Sequence, residues 1–101
     1  MFDRKRLKLE PLAKREHELV NSDIMPLGKV DYIDEPLRKV AARIIKARNN
    51  KSIILMIGGH VIRSGAQRYL IDLLEKGYIS CIAMNGGCMI HDFEFALVGA
   101  T

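Results

Sequence analysis

Apolar and polar positions alternate with two different periods along this chain, and the change of period marks out its elements. Leu37, Val40, Ala41, Ile44, Ile45 and Ala47 recur at 3.6-residue spacing, so a helix is predicted from Asp34 to about Arg48. Asp34-Glu35-Pro36 supplies a capping acid, an acid in the first turn and a proline where its missing N–H costs least. Ser52 to Ile57 is then a short, continuous apolar run, the pattern of a buried strand. Ser64 and Gln67 have capping-box spacing, which predicts a second helix from Ser64 to Lys76 closed by Gly77. Its stripe is Ala66, Tyr69, Leu70, Leu73 and Leu74. Ile79 to Met84 reads as a second strand, and Asp92 as the cap of a helix over Phe93 to Val98. The first helix is expected to cover one face of the sheet.

Strand, helix, strand is a right-handed crossover unit, so the fold class is α/β with a Rossmann-like parallel sheet. Two strands make an incomplete sheet, because parallel strands are normally covered on both faces. The chain therefore reads as an arm and linker over residues 1–34, followed over 35–101 by the N-terminal part of a cofactor-binding α/β domain. In the arm, Leu12, Glu16 and Leu19 suit a short helix, and Leu7 to Leu9 suit an extended segment. Such an arm is ordered by packing on something else. Met25 to Leu27, Val30, Tyr32 and Ile33 are the candidate anchors of the linker.

Both strands break into glycine turns at one edge of the sheet. The first is Gly58-Gly59-His60-Val61-Ile62-Arg63-Ser64-Gly65 and the second is Asn85-Gly86-Gly87. Glycines admit a ligand close to the backbone, and helix N-termini attract phosphate, here with Arg63 and Ser64 alongside. The spacing matches neither GxGxxG nor the P-loop. His60, Cys88, His91, Asp92 and Glu94 cluster in sequence near these turns, so imidazole and carboxylate chemistry at a metal is an alternative.

Composition narrows the classes. Of the 16 Lys and Arg, 13 precede Ser52, against 8 of the 12 acids. These cations alternate with acids and lack aromatic interleaving, which argues for solvated helix faces over nucleic-acid binding. Cys81 and Cys88 follow no zinc or disulfide spacing, and Cys81, inside an apolar strand, reads as a core thiol. With no signal-peptide pattern and no membrane-length apolar run, a cytoplasmic protein without membrane contact is expected.

Read in order, Gly58 to Gly65 and Met84 to Asp92 resemble the corresponding turns of the deoxyhypusine synthase family. The likeness covers about Ile53 to Asp92, with Ser64-Gly65, one turn glycine and Asp92 agreeing in kind. His60 stands where that family has Asn, Arg63 where it has Ser, and His91 where it has Glu. The resemblance implies an NAD-binding homotetramer that transfers an aminoalkyl group from a polyamine through a lysine. It implies cofactor contacts from Gly59, His60, Arg63, Asn85, Gly86 and Gly87, to which the turn chemistry adds Gly58 and Ser64 as cofactor-binding candidates, with His91 and Asp92 near the amine substrate. The family's lysine has no counterpart in either turn, so no catalytic residue is assigned. Two other readings stand beside it: a non-catalytic binding or assembly module, and a small metal-dependent hydrolase using His60, His91 and Asp92.

Overall fold

The computed structural model describes residues 3–11, 14–29, 31 and 34–101. Helix α1 spans Glu35–Ala47, strand β1 Ile54–Ile57, α2 Gly59–Arg63, α3 Gln67–Glu75, β2 Cys81–Met84 and α4 Gly86–Val98. β1 and β2 pair in parallel, Ile54 opposite Cys81 through Ile57 opposite Met84. The α/β crossover is thus present, as a partial Rossmann-like sheet. Because the two strands end at the same level, the helices that follow them start side by side. Gly77, at φ +67°, takes the left-handed conformation expected of it after α3.

The helix starts differ from the sequence reading. α2 begins directly after β1, with Gly58 as its N-cap, and Ser64 terminates it. The Ser64 hydroxyl donates back to the Val61 carbonyl, so no capping box forms with Gln67. α3 instead starts behind Ala66, with no side-chain cap. α4 starts at Gly86, not beyond Asp92, because the Asn85 side chain accepts the Cys88 N–H at 3.0 Å. His91 and Asp92 are therefore interior residues of a 13-residue helix.

The core does not lie where the sheet would predict. Ile62 of α2 and Cys88 and Phe95 of α4 are its buried members, with Leu19, Ile24, Ile57 and Leu70 packed against them. Cys88 is the fully buried thiol, while Cys81 is exposed and not the core residue that the strand pattern predicts. Burial, and then the Asp92 charge, raise the Cys88 pKa above its ordinary value. On the far face of the sheet, Ile54 is 61% and Met56 81% exposed. α1 was expected to cover a face, yet none of its residues is buried. Its only aromatic attachment among the described residues is Arg48, whose guanidinium lies 4.8 Å from the Tyr78 ring centre. A radius of gyration of 17.6 Å, against about 13 Å for a compact chain of about 100 residues, reflects this open arrangement.

The arm does find a partner. Leu19 N donates to Thr101 O and Thr101 N to Leu19 O, around an antiparallel bridge between Val20 and Ala100. A short 3-10 turn at Asn21–Asp23 follows, and Met25 N donates to Gly65 O. Gly65, at φ +79°, accepts this strap because a Cβ there would lie 2.6 Å from Asp23 O. The linker is held by Tyr69, whose hydroxyl donates to Pro26 O and accepts from Gly28 N. Leu12 and the proposed anchors Val30, Tyr32 and Ile33 lie outside the described residues.

The contrast between the cysteines gives a direct test. In the native protein a thiol reagent should label Cys81 rapidly and Cys88 only after denaturation. Mass spectrometry of labelled peptides would read this; equal labelling of both would remove Cys88 from the core.

Candidate functional site

The two N-caps, Gly58 and Asn85, sit next to each other at the C-terminal edge of the sheet. A Cβ on Gly58 would lie 3.7 Å from the Asn85 amide nitrogen. One residue further on, Gly59 faces the α4 backbone: its Cβ would be 3.2 Å from the Gly87 carbonyl carbon and 3.1 Å from His91 Cδ2. That separation is tighter than ordinary carbon contact, so glycine at 59 lets α2 and α4 converge. Gly86 differs, since a Cβ there would meet nothing within 4 Å. Gly59 is thus a packing glycine and Gly86 an open one. In front of Gly86 the first N–H groups of α4 have no partner within the helix, and the positive end of its dipole faces the opening.

The other sequence-chosen residues separate, except Arg63 and His91, which line one polar recess with Glu18 and Thr101. His60 is exposed on α2. Arg63 is drawn away from the turns by an ion pair with Glu18 of the arm. Ser64 lies at the C-terminal end of α2, so its hydroxyl adds nothing to a helix N-terminus. Asp92 projects towards an apolar recess of about 140 Å3, which Ile57, Ile62, Met84 and Cys88 also line. His91 turns the other way, beside Gly59. Among the described residues no three His, Cys, Asp or Glu side chains form a metal-binding group, so His60, His91 and Asp92 are not united in one.

His91 belongs to a network that sequence spacing did not reveal. Its Nδ1 lies 2.7 Å from Thr101 Oγ1, and the Thr101 hydroxyl donates to Glu94, which also pairs with Arg15. With the Thr101 proton committed to Glu94, the threonine oxygen accepts from His91 Nδ1–H, which leaves Nε2 as an acceptor in the neutral ring. Hydrogen bonding from Arg15, then from Thr101, holds the Glu94 pKa at about 2, from an ordinary 4.5. Only His91 and Glu94 were visible beforehand, as groups near the second turn; Arg15 and Thr101 come from opposite ends of the chain.

With the turns in place, a model of the family described as arginine dihydrolase ArgZ-like, C-terminal, Rossmann fold, matches residues 38–101. The chain belongs to this family. An ornithine cyclodeaminase from Methanopyrus kandleri is 28% identical over 65 residues, which are 64% of this chain and 16% of that protein. The chain thus spans a small fraction of its curated relative. No solved structure matches it. These findings overturn the deoxyhypusine synthase resemblance, and with it the polyamine aminoalkyl transfer. The physical reason is that two glycine turns after parallel strands are a property of the Rossmann arrangement, shared across chemistries. Among the described residues of the ArgZ-like domain, no helix is long and apolar enough to cross a membrane.

Two outcomes follow for the ArgZ-like domain. Gly59→Ala should lower stability by about 1–3 kcal/mol, the usual cost of overpacking, whereas Gly86→Ala should leave it unchanged or raise it slightly. Denaturant unfolding would measure both, and equal effects would contradict the close approach at Gly59. The depressed Glu94 pKa contributes stability above pH 4.5, which is lost as pH falls towards about 2. Glu94→Gln should flatten the acid limb of a stability–pH curve over that window.

Proposed function

We propose that residues 35–101 form a nucleotide-binding module that holds NAD across the two strand-to-helix turns and carries no catalytic nucleophile of its own. The observation that supports it best is the open position at Gly86 beside the packed pair Gly59–Gly87. The convergence of α2 and α4 brings two sets of unpartnered N–H groups to one opening, and an anionic pyrophosphate suits both. The absence of a side chain at Gly58 and Gly86 lets phosphate oxygens reach these groups. Asn85, already bonded to the Cys88 N–H, keeps the α4 terminus in shape. His60 is exposed in the first turn of α2, and His91 offers Nε2 from a ring fixed by Thr101. Arg63 becomes a cofactor contact only if its pair with Glu18 opens.

When bound, NAD supplies a hydride acceptor; the groups that activate a substrate come, on this reading, from outside these 101 residues. The small fraction of the relative that the chain spans is consistent with that division. The relative's name points to a basic amino acid of the ornithine type as the substrate class of the complete enzyme. A module of this kind works inside a larger assembly, which keeps the non-catalytic binding reading and sets aside independent catalysis.

Isothermal titration of the chain with NAD tests the proposal. We expect binding that Gly86→Val weakens at least about tenfold, a loss of about 1.4 kcal/mol, without a lower thermal midpoint. No binding at millimolar NAD, or an affinity untouched by Gly86→Val, would remove the turns as the site.

A further inference from the structure

A different surface of α4 is built for contact. Met89, Ile90, Phe93 and Leu97 are each 58–64% exposed. They fall within roughly 100° of helix azimuth, since 3.6 residues complete a turn. Ala96, also exposed, lies at the same seam and allows close approach. A groove of about 440 Å3 runs along this stripe, flanked by the Arg15–Glu94 ion pair.

We infer that this face is a two-fold interface with a second copy of the chain, its α4 helices packed antiparallel. Area supports this occupant. Four large side chains of roughly 200 Å2 each, about 60% exposed, present on the order of 500 Å2 per copy. A symmetric pair then buries on the order of 1,000 Å2, about the least that a specific interface requires. Charge supports it too, because an isologous contact sets each group against its own image. α4 has no Lys or Arg, Glu94 is neutralised on the flank by Arg15, and Asp92 is directed to the opposite side, at the apolar recess. The stripe therefore meets its copy without like-charge repulsion. Antiparallel alignment also opposes the helix dipoles.

This inference is independent of nucleotide binding. Sedimentation equilibrium of the 101-residue chain at tens of micromolar should show a dimer. Phe93→Glu should weaken it at least about hundredfold, the scale of a central aromatic anchor, with an unchanged circular dichroism spectrum. Ile54→Glu, on the bare sheet face, should leave it intact. As a check independent of that variant's folding, Phe93→Cys in a Cys81→Ser background should form a covalent dimer on oxidation. A monomer throughout, dissociation by Ile54→Glu, or no cross-link from Phe93→Cys would overturn the inference.

Discussion

The convergence of α2 and α4 at Gly59 and Gly87 is the constraint on which the rest of this structure depends. The backbones meet closely because neither position carries a side chain, and this contact fixes where everything else on the two helices falls. It brings Ile62 against Cys88 and Phe95, the buried core. It sets Gly58 beside Asn85, so two helix N-termini share one opening. It also places His91 next to the first turn although thirty residues separate them in sequence. Fold and candidate site rest on the same pair of glycines, which is why a packing glycine and a ligand glycine must be told apart by what surrounds each.

Around that contact the module is only half enclosed. A parallel sheet normally has helices on both faces, yet here Ile54 and Met56 face outwards and α1 buries none of its residues. Stability comes instead from the helix pair and from the arm, whose backbone bonds to Thr101, Gly99 and Gly65 act as a strap across the helix ends. The strap lies outside the matched family region, residues 38–101, yet is bonded into it. Its side chains carry the same function: Glu18 engages Arg63, and Arg15 engages Glu94. Two cations that charge counting assigns to solvent or ligand are thus partly structural.

What the sequence disclosed was what depends on local pattern. Both strands, the extent of α1, and the left-handed Gly77 are written in periodicity and turn chemistry. The starts of α2 and α4 were not, because glycine pairs have poor helix propensity and read as loop. Tertiary contact overrides that propensity at Gly59. At Asn85 a capping side chain was present in the sequence, but Asp92 offered a competing cap six residues into the true helix. Ser64 and Gln67 misled in the same way, since capping-box spacing has no force where the hydroxyl is already bonded to Val61 O. The arm–Thr101 bridge and the Arg15–Glu94–Thr101–His91 network join distant residues, and no local pattern encodes such pairs. Family assignment failed at another level: turn spacing belongs to the fold, so it could not separate one Rossmann chemistry from another.

α4 shows how much one short helix can hold when its azimuths are kept distinct. Its first turn faces the opening with Gly86, Gly87 and a bonded Asn85. Cys88 and Phe95 face inwards. His91 and Glu94, three residues apart and therefore neighbours on the surface, face the arm and share Thr101. Met89, Ile90, Phe93 and Leu97 face outwards as a continuous apolar stripe. An amphipathic helix at the edge of a domain needs only one apolar side; this one has two, separated by its polar residues. Burying the inner side builds the module. The outer side remains as an unbalanced apolar surface, and a structure with so small an interior gains more by covering it than by leaving it in water. The two-fold interface inferred above would thus draw on the same sequence pattern that folds the chain.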